Sequence, residues 1–368
     1  MSQNSNRMIS QRLNRLYQEM KSNGWDAVLI TGRGNLRFFT DFRLNRVASA
    51  MLAIPEPGEV VFFVAKLDLE RARRDLPFFP IRPYLEDMPS YLDGLRGVFN
   101  PNKIKKLAIE STLTYYQEQF LRDLLPNVVF LTIDQQLLAL RSVKEREEIE
   151  RLKKAAQIAD QAMRYVLKQA SPGHTELELV GQAKLVIAKE GGEDEPFEPF
   201  LMSGENACLP QRVATEKKIQ EGELIVFDMG AIYKGYCSDL TRTFSLGGLS
   251  AEQKKVFQIA LTAQQKAIEA IRLGMEARSI DRIARSYIEE IGFGEFFPHL
   301  TGHGIGLEDH EEPIIDKSNT LRLEENMVLT IEPGLYVPGV GAARIEDMIL
   351  VTKDGAELLT SVPRNLIF

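Results

Sequence analysis

The stretch LIVFDMGAIYKGYCSDLTRTF, residues 224–244, decides the fold. It opens on a short β-rich run, LIVFDMG (224–230), that ends in a carboxylate, one residue and a glycine. A turn follows, then a second strand carrying another acid, YCSDLTRTF (236–244). The same order of features returns later as MVLTIEPG (327–334) and AARIEDMIL (342–350), with helical segments at 251–272 and 279–291 between the two halves. Two similar strand pairs, each offering two acids, predict a pseudo-symmetric sheet with a site at its centre.

Side chains alternate across a strand, so residues two apart share a face. On that rule Val226 sits with Asp228, and Cys237 with Asp239, Thr241 and Thr243. In the second pair Val328 and Thr330 sit with Glu332, and Ala342, Arg344 and Met348 with Glu346. Each face holds one acid among largely apolar neighbours. A buried, unpaired carboxylate is costly, and four converging would repel strongly unless a multivalent cation sat among them.

Between the halves lies FFPHLTGHGIGLEDHEEP (296–313), which holds His299, His303 and His310, three of the chain's four histidines, together with Gly302, Gly304 and Gly306. The glycines predict a tight bend that carries one imidazole to the acids. Four carboxylates and an imidazole match neither a closed structural zinc site nor a thiolate site. They suit two divalent ions with bridging carboxylates, which two-metal hydrolases hold about 3.5–4 Å apart. Manganese, cobalt, iron and zinc all accept such ligands.

The rest of the chain frames this centre. Residues 8–23 have the apolar spacing of an amphipathic helix, and WDAVLIT (25–31) reads as a buried strand followed by a turn through GRGN. SAMLAIP (49–55), EVVFFVA (59–65), KKLAIE (105–110) and NVVFLTI (127–133) are further strands, with helices at 66–76 and 114–125, which predicts an α/β domain over residues 1–140. A long charged helix from Val143 to Ala170 opens the second domain, 141–368, and its charged run 144–154 reads as a solvated face.

The length suits two domains, and 44% hydrophobic with 26% charged residues is the make-up of an ordinary soluble globular protein. A net charge of −7 argues against a nucleic-acid surface or an anionic-membrane patch, and no apolar run could serve as a signal peptide or membrane span. Cys208 and Cys237, the two cysteines, imply no disulfide framework, and His174 reads as a solvated neighbour of a helix cap. A cytoplasmic protein is expected.

At these residues the chain closely resembles the pita-bread metallohydrolases: prolidase, aminopeptidase P and methionine aminopeptidase. The family's five metal ligands run Asp, Asp, His, Glu, Glu. Here they fall on Asp228 in FDMGAIYKGY, Asp239 in CSDLTRTF, His303 in GHGIG, Glu332 in TIEPGLY and Glu346 in ARIEDMIL. Order, strand context and the separation of eleven residues between the aspartates all agree, and the likeness covers roughly residues 145–368. WDAVLITGRGNLRFFTDF looks like the N-terminal domain of the prolidase and aminopeptidase P branch, which methionine aminopeptidases generally lack.

The resemblance implies a binuclear hydrolase that cleaves the amide bond before proline in short peptides, with manganese or cobalt as the expected metal and a homodimer as the expected assembly. It implies a metal-bridging hydroxide as nucleophile, Glu332 as proton shuttle, and His310 in contact with the substrate and its tetrahedral intermediate. Arg344 is placed to orient a ligand carboxylate or to grip a substrate carboxylate, and His299 to line the pocket. One departure stands out: SGENACLPQR (203–212) has Gln211 where the family's peptidases usually carry histidine. Glutamine hydrogen-bonds but carries no proton at neutral pH, so Xaa-Pro cleavage is expected to be slowed or redirected. The alternatives are hydrolysis of a small non-peptide metabolite, as in the creatinase and ectoine hydrolase relatives, a lyase on the same site, or a non-catalytic relative.

Overall fold

The computed structural model describes residues 3–84, 92–208 and 213–366. The chain divides into two compact units, Met1–Arg141 and Ser142–Phe368.

The first unit carries strands β1 (Ala27–Ile30), β2 (Ala50–Pro55), β3 (Val61–Ala65), β4 (Ile81–Tyr84), β5 (Lys106–Ile109) and β6 (Val129–Thr132). They form one sheet in the order β4-β3-β2-β1-β5-β6. β1–β2 and β2–β3 pair antiparallel; the other three pairs are parallel. Each strand read in this half of the sequence is present. Every residue of β1 is buried, the pattern of a central strand covered on both faces. Helices α1 (Gln3–Asn23), α2 (Arg33–Thr40), α3 (Leu69–Asp75), α4 (Tyr115–Leu124) and α5 (Asp134–Ser142) accompany the sheet.

The GRGN turn is a correction: a helix, α2, begins at Arg33 instead. Buried Glu110, at the end of β5, supplies the reason. Its carboxylate accepts hydrogen bonds from the backbone N–H groups of Thr31 and Gly32 and from the Asn35 amide at 2.6 Å. Those groups at a helix start need an acceptor, and this one comes from far away in sequence.

The second unit has helices α6 (Arg146–Gln169), α7 (Glu176–Lys189), α8 (Ala251–Ala270) and α9 (Ala277–Glu290). Its first sheet half comprises β7 (Phe200–Ser203), β8 (Leu224–Met229), β9 (Ile232–Tyr233), β10 (Tyr236–Cys237) and β11 (Leu240–Ser245). The second comprises β12 (Gly302–Gly304), β13 (Glu311–Ile315), β14 (Val328–Ile331), β15 (Gly334–Val337), β16 (Gly341–Arg344), β17 (Asp347–Thr352) and β18 (Gly355–Leu358). β8 pairs antiparallel with β11, and the chain between them makes the small hairpin β9–β10. β14 pairs antiparallel with β17 around the small hairpin β15–β16. The echo in the sequence is thus one bent hairpin built twice.

The acids do not lie on continuous strands as alternation suggested. Asp228 is inside β8, but Asp239 stands just before β11, Glu332 just after β14 and Glu346 just before β17. Pro333 has no N–H for the ladder and ends β14 at the acid. At the other breaks the chains cross closely. A Cβ on Gly230 would lie 1.9 Å from the Ser238 carbonyl oxygen. The backbone N–H of Glu346 turns away from its own hairpin to the carbonyl of Thr241, 3.1 Å off, which sews the two halves together.

Two further expectations change. Gly302 and Gly304 are strand residues, and neither they nor Gly306 adopts a left-handed φ. They permit close approach rather than a bend: Cβ atoms there would meet the Thr330 oxygen at 2.0 Å, the Glu312 oxygen at 2.3 Å and the Glu311 carboxylate at 2.6 Å. The charged run 144–154 is solvated only in part, since Lys144, Glu148 and Arg151 are buried. Lys144 pairs with Glu311 at 2.9 Å, Glu148 accepts the Tyr236 hydroxyl at 2.9 Å, and Arg151 lies over the Tyr236 ring. Among the described residues no helix is long and apolar enough to cross a membrane.

Gly302→Ala is expected to cost more than about 2 kcal/mol, because the Thr330–Ile331 backbone must move. Gly181→Ala, at an exposed position of α7 with nothing within 4 Å of the new methyl, is expected to stabilise by up to about 1 kcal/mol. Melting curves of the two variants should shift in opposite directions.

Candidate metal centre

The two bent hairpins and β12 bring the five predicted side chains to one place. Donor atoms of Asp239, His303 and Glu346, all buried, lie within 4.8 Å of one another. His303 Nε2 is 3.6 Å from Asp239 Oδ2 and 3.4 Å from Glu332 Oε1. Arg344 links the remaining acid: its Nη2 donates to Asp228 Oδ2, and its Nε sits 3.8 Å from Glu332 Oε2. Thr241, opposite Asp228 in the ladder, donates its hydroxyl to Glu346 Oε2 at 2.8 Å.

Two observations test whether cations fit. First, Asp228 Oδ1, Asp239 Oδ1 and Glu346 Oε1 are buried with no hydrogen-bond partner, and a buried carboxylate oxygen without a donor is expensive. Second, His303 Nδ1 lies 3.0 Å from the Gly304 carbonyl oxygen, so that nitrogen carries the hydrogen. Nε2, the remaining ring nitrogen, then faces two carboxylate oxygens, where it can share a cation with them. A second ring nitrogen tied to a carbonyl is the usual backing of a metal-binding histidine.

The electrostatics agree. Burial, then the charges of Asp228 and Glu332, push the Asp239 carboxyl well above its ordinary range. Burial, then Asp239 and Glu332, do the same to Glu346. Asp228 is raised by burial too, with Arg344 opposing. Acids so placed cannot all ionise together in a low-dielectric site unless multivalent positive charge joins them. The donor set fits divalent cations.

The surroundings hold this geometry rigid. His303 stacks on His310 with centroids 3.7 Å apart and planes 16° from parallel. The buried Lys144–Glu311 pair fixes the far end of the histidine loop, and Cys237 N–H donates to the Gly306 carbonyl at 2.7 Å. On the near end Arg285 donates to the carbonyls of Phe297 and His299. Behind Glu346, fully buried Arg242 binds the Glu346 carbonyl and pairs with Asp347 at 2.6 Å. Burial would raise Asp347, but Arg242 and Arg364 hold it below the usual carboxylate range.

A cavity of about 850 Å³ opens beside the cluster. Phe197, Phe200 and Met202 contribute apolar wall, and His299, His310 and Arg344 reach it as well. Arg344 Nη1 donates to the Tyr336 hydroxyl at 2.7 Å, which in turn lies 3.2 Å from His299 Nε2. His299 Nδ1 lies 2.7 Å from the Leu300 carbonyl, so Nδ1 bears the hydrogen and Nε2 accepts from Tyr336. Burial lowers the His299 pKa, against the pull of Glu332, and keeps the imidazole neutral. Gln211 lies outside the described residues. His174 contacts the Ser171 hydroxyl beside the Thr175 cap, away from the cavity lining. Sequence reasoning missed Tyr336 and the Arg242–Asp347 pair; Thr241 was visible, on the face that alternation gave to Asp239.

Carboxylates and one imidazole converging beside a cavity, on a bent hairpin built twice, make a candidate metal centre, and comparison with known proteins assigns it to the metallopeptidases. The profile of metallopeptidase family M24 matches residues 150–353, and that of the creatinase/prolidase N-terminal domain matches residues 12–143. The chain belongs to metallopeptidase family M24. It is 35% identical over 361 residues to a Xaa-Pro dipeptidase of Pyrococcus horikoshii, covering 98% of this chain and 99% of that one. The crystal structure of the prolidase from Pyrococcus horikoshii superposes with a TM-score of 0.90 at 34% identity, over 97% of this chain and 100% of the other. An X-Pro aminopeptidase from Thermotoga maritima gives 0.84 at 34% identity, over 94% and 97%.

Chelator treatment is expected to lower the melting temperature, and manganese or cobalt to restore it. An ion at about a hundred times its Kd adds about 2.7 kcal/mol to stability. Glu346→Gln, which keeps an acceptor for Thr241, should lose most of that metal-dependent shift yet melt no lower than the parent in chelator. Melting indifferent to chelator and metal alike would contradict the assignment.

Proposed function

We propose that the chain hydrolyses the amide bond before proline in short peptides, as a Xaa-Pro dipeptidase or aminopeptidase, with two divalent cations held by Asp228, Asp239, His303, Glu332 and Glu346. The observation that carries this is His303 Nε2 converging, with three partnerless buried carboxylate oxygens, on one cluster beside an open cavity. When bound, such a pair supplies an acidified water as nucleophile and polarises the scissile carbonyl. The oxygen-rich donor set favours manganese or cobalt, with zinc and iron as the other candidates.

The chain's own groups then have distinct tasks. Glu332 is the least buried of the four acids and lines the cavity, which suits it to take and return a proton at its carboxylate. Arg344, already bound to Asp228 and Tyr336, orients the aspartate rather than gripping a substrate carboxylate. His310, half exposed at the cavity, meets the substrate. His299, neutral and with Nε2 occupied by Tyr336, shapes the wall instead of donating a proton. Residues 1–140 serve as the creatinase/prolidase-like N-terminal domain and 141–368 as the catalytic domain. The reading extends to a homodimer in the cytoplasm, acting on neither nucleic acid nor membrane, as the net charge of −7 and the prolidase resemblance suggest.

The named relatives include a dipeptidase and an aminopeptidase at nearly equal identity, 35% and 34%, so peptide length is a question for assay. Gln211 favours one second reading, a small non-peptide metabolite as substrate. Ala-Pro, Met-Pro and longer Xaa-Pro peptides assayed with manganese and cobalt separate the two. Turnover is expected, and Glu332→Ala should reduce kcat by about a hundredfold or more. If the metal-loaded parent turns over none of the panel while Gln211→His does so readily, the peptidase reading fails and the non-peptide one stands.

A further inference from the structure

Asp309 lies next to His310 and is not among the five clustered side chains. Its Oδ2 is 3.3 Å from His310 Nδ1, and both residues line the cavity. Burial would raise the Asp309 pKa, but the hydrogen bond and charge of His310 hold it down, the mark of a carboxylate facing its partner. We propose that Asp309 is a positioning residue for His310, accepting from Nδ1–H and leaving Nε2 as the nitrogen presented to substrate. The proposal rests on the peptidase reading, in which His310 meets the substrate.

Ring geometry shows why a partner is needed. The stack on His303, 16° from parallel, fixes the plane of the His310 imidazole but not which edge faces the cavity. A half-turn about Cβ–Cγ keeps the stack and exchanges Nδ1 with a carbon. With 49% of its side chain exposed, His310 is not locked by packing, and among the described residues no hydrogen bond engages Nε2. Among the described residues the Asp309 carboxylate is the hydrogen-bonding group that distinguishes the two orientations and the two tautomers. The choice matters chemically. Nε2 then accepts a hydrogen bond from substrate, and it donates only from an imidazolium whose charge the adjacent carboxylate balances, the arrangement in which an aspartate orients a working histidine. The loop itself is anchored elsewhere, by Lys144–Glu311 and by Cys237 on the Gly306 carbonyl, so removing Asp309 should leave the fold and the cation cluster intact.

The test uses the full chain loaded with manganese and compares Asp309→Val, Asp309→Asn, His310→Ala and the Asp309→Val/His310→Ala pair. Asp309→Val is expected to lower kcat roughly tenfold, as loss of an orienting partner does, with unchanged metal content and melting temperature. KM should stay within about twofold, because the defect lies in presentation and not in uniform binding. Asp309→Asn keeps an acceptor oxygen and should recover most of the loss. The pair should be no worse than His310→Ala alone. A nitrogen-15 spectrum of the zinc-loaded protein, simple because the chain has four histidines, should show His310 protonated at Nδ1 in the parent and mixed in Asp309→Val. Parent-like kcat in Asp309→Val, full additivity in the pair, or an Nε2–H tautomer in the parent would overturn the proposal. A silent His310→Ala would instead refute the substrate role of His310, and with it the kinetic consequence claimed for Asp309.

Discussion

Four carboxylates gathered in a buried pocket repel one another, and the second unit is arranged around that repulsion. Burial strips away the water that would screen them and raises Asp228, Asp239 and Glu346 above the ordinary carboxyl range, with neighbouring carboxylate charges adding to the rise at Asp239 and Glu346. Protein groups offset only part of this. Arg344 neutralises one side of Asp228, and Thr241 serves one oxygen of Glu346, while three carboxylate oxygens remain without a hydrogen-bond partner from the chain and His303 Nε2 faces two carboxylates. That negative remainder calls for multivalent positive charge, which divalent cations supply.

The fold supplies the acids by repeating one device. A strand runs to the centre, breaks, turns through a two-strand hairpin, breaks again and returns beside its first arm. Acids at or beside the breaks project inward from both halves, and the Thr241–Glu346 backbone contact keeps the halves in register. Around this lie buried ion pairs, Arg242–Asp347 and Lys144–Glu311, each at a segment carrying a site residue. Removing one partner of such a pair leaves an uncompensated charge, so their value lies in holding position more than in net stability.

Much of this was legible in the sequence, for identifiable reasons. The strands read in the sequence are β-rich runs bounded by turn residues, and they appear where expected, whereas β4, β7, β12, β13 and β18 carry no such pattern and were not read. The four acids stood out because strand alternation and the repeated carboxylate-x-glycine pattern are local signals, whereas the choice of His303 among the three loop histidines came from the family resemblance of GHGIG. What escaped depends on contacts distant in sequence. The start of α2 is set by Glu110, the histidine-loop glycines answer to backbone on neighbouring strands, and the buried charges of 144–154 are matched by Glu311 and Tyr236. The alternation rule also reached the clustered acids by an oversimplified route, since three of them stand in strand breaks. Asp309 and Tyr336 act through other side chains and leave no periodic trace.

The most direct test of the central claim is anomalous scattering from crystals grown with manganese. Two anomalous peaks are expected among Asp228, Asp239, His303, Glu332 and Glu346, about 3.5–4 Å apart as in two-metal hydrolases. A single peak, none, or peaks outside these five side chains would contradict the account.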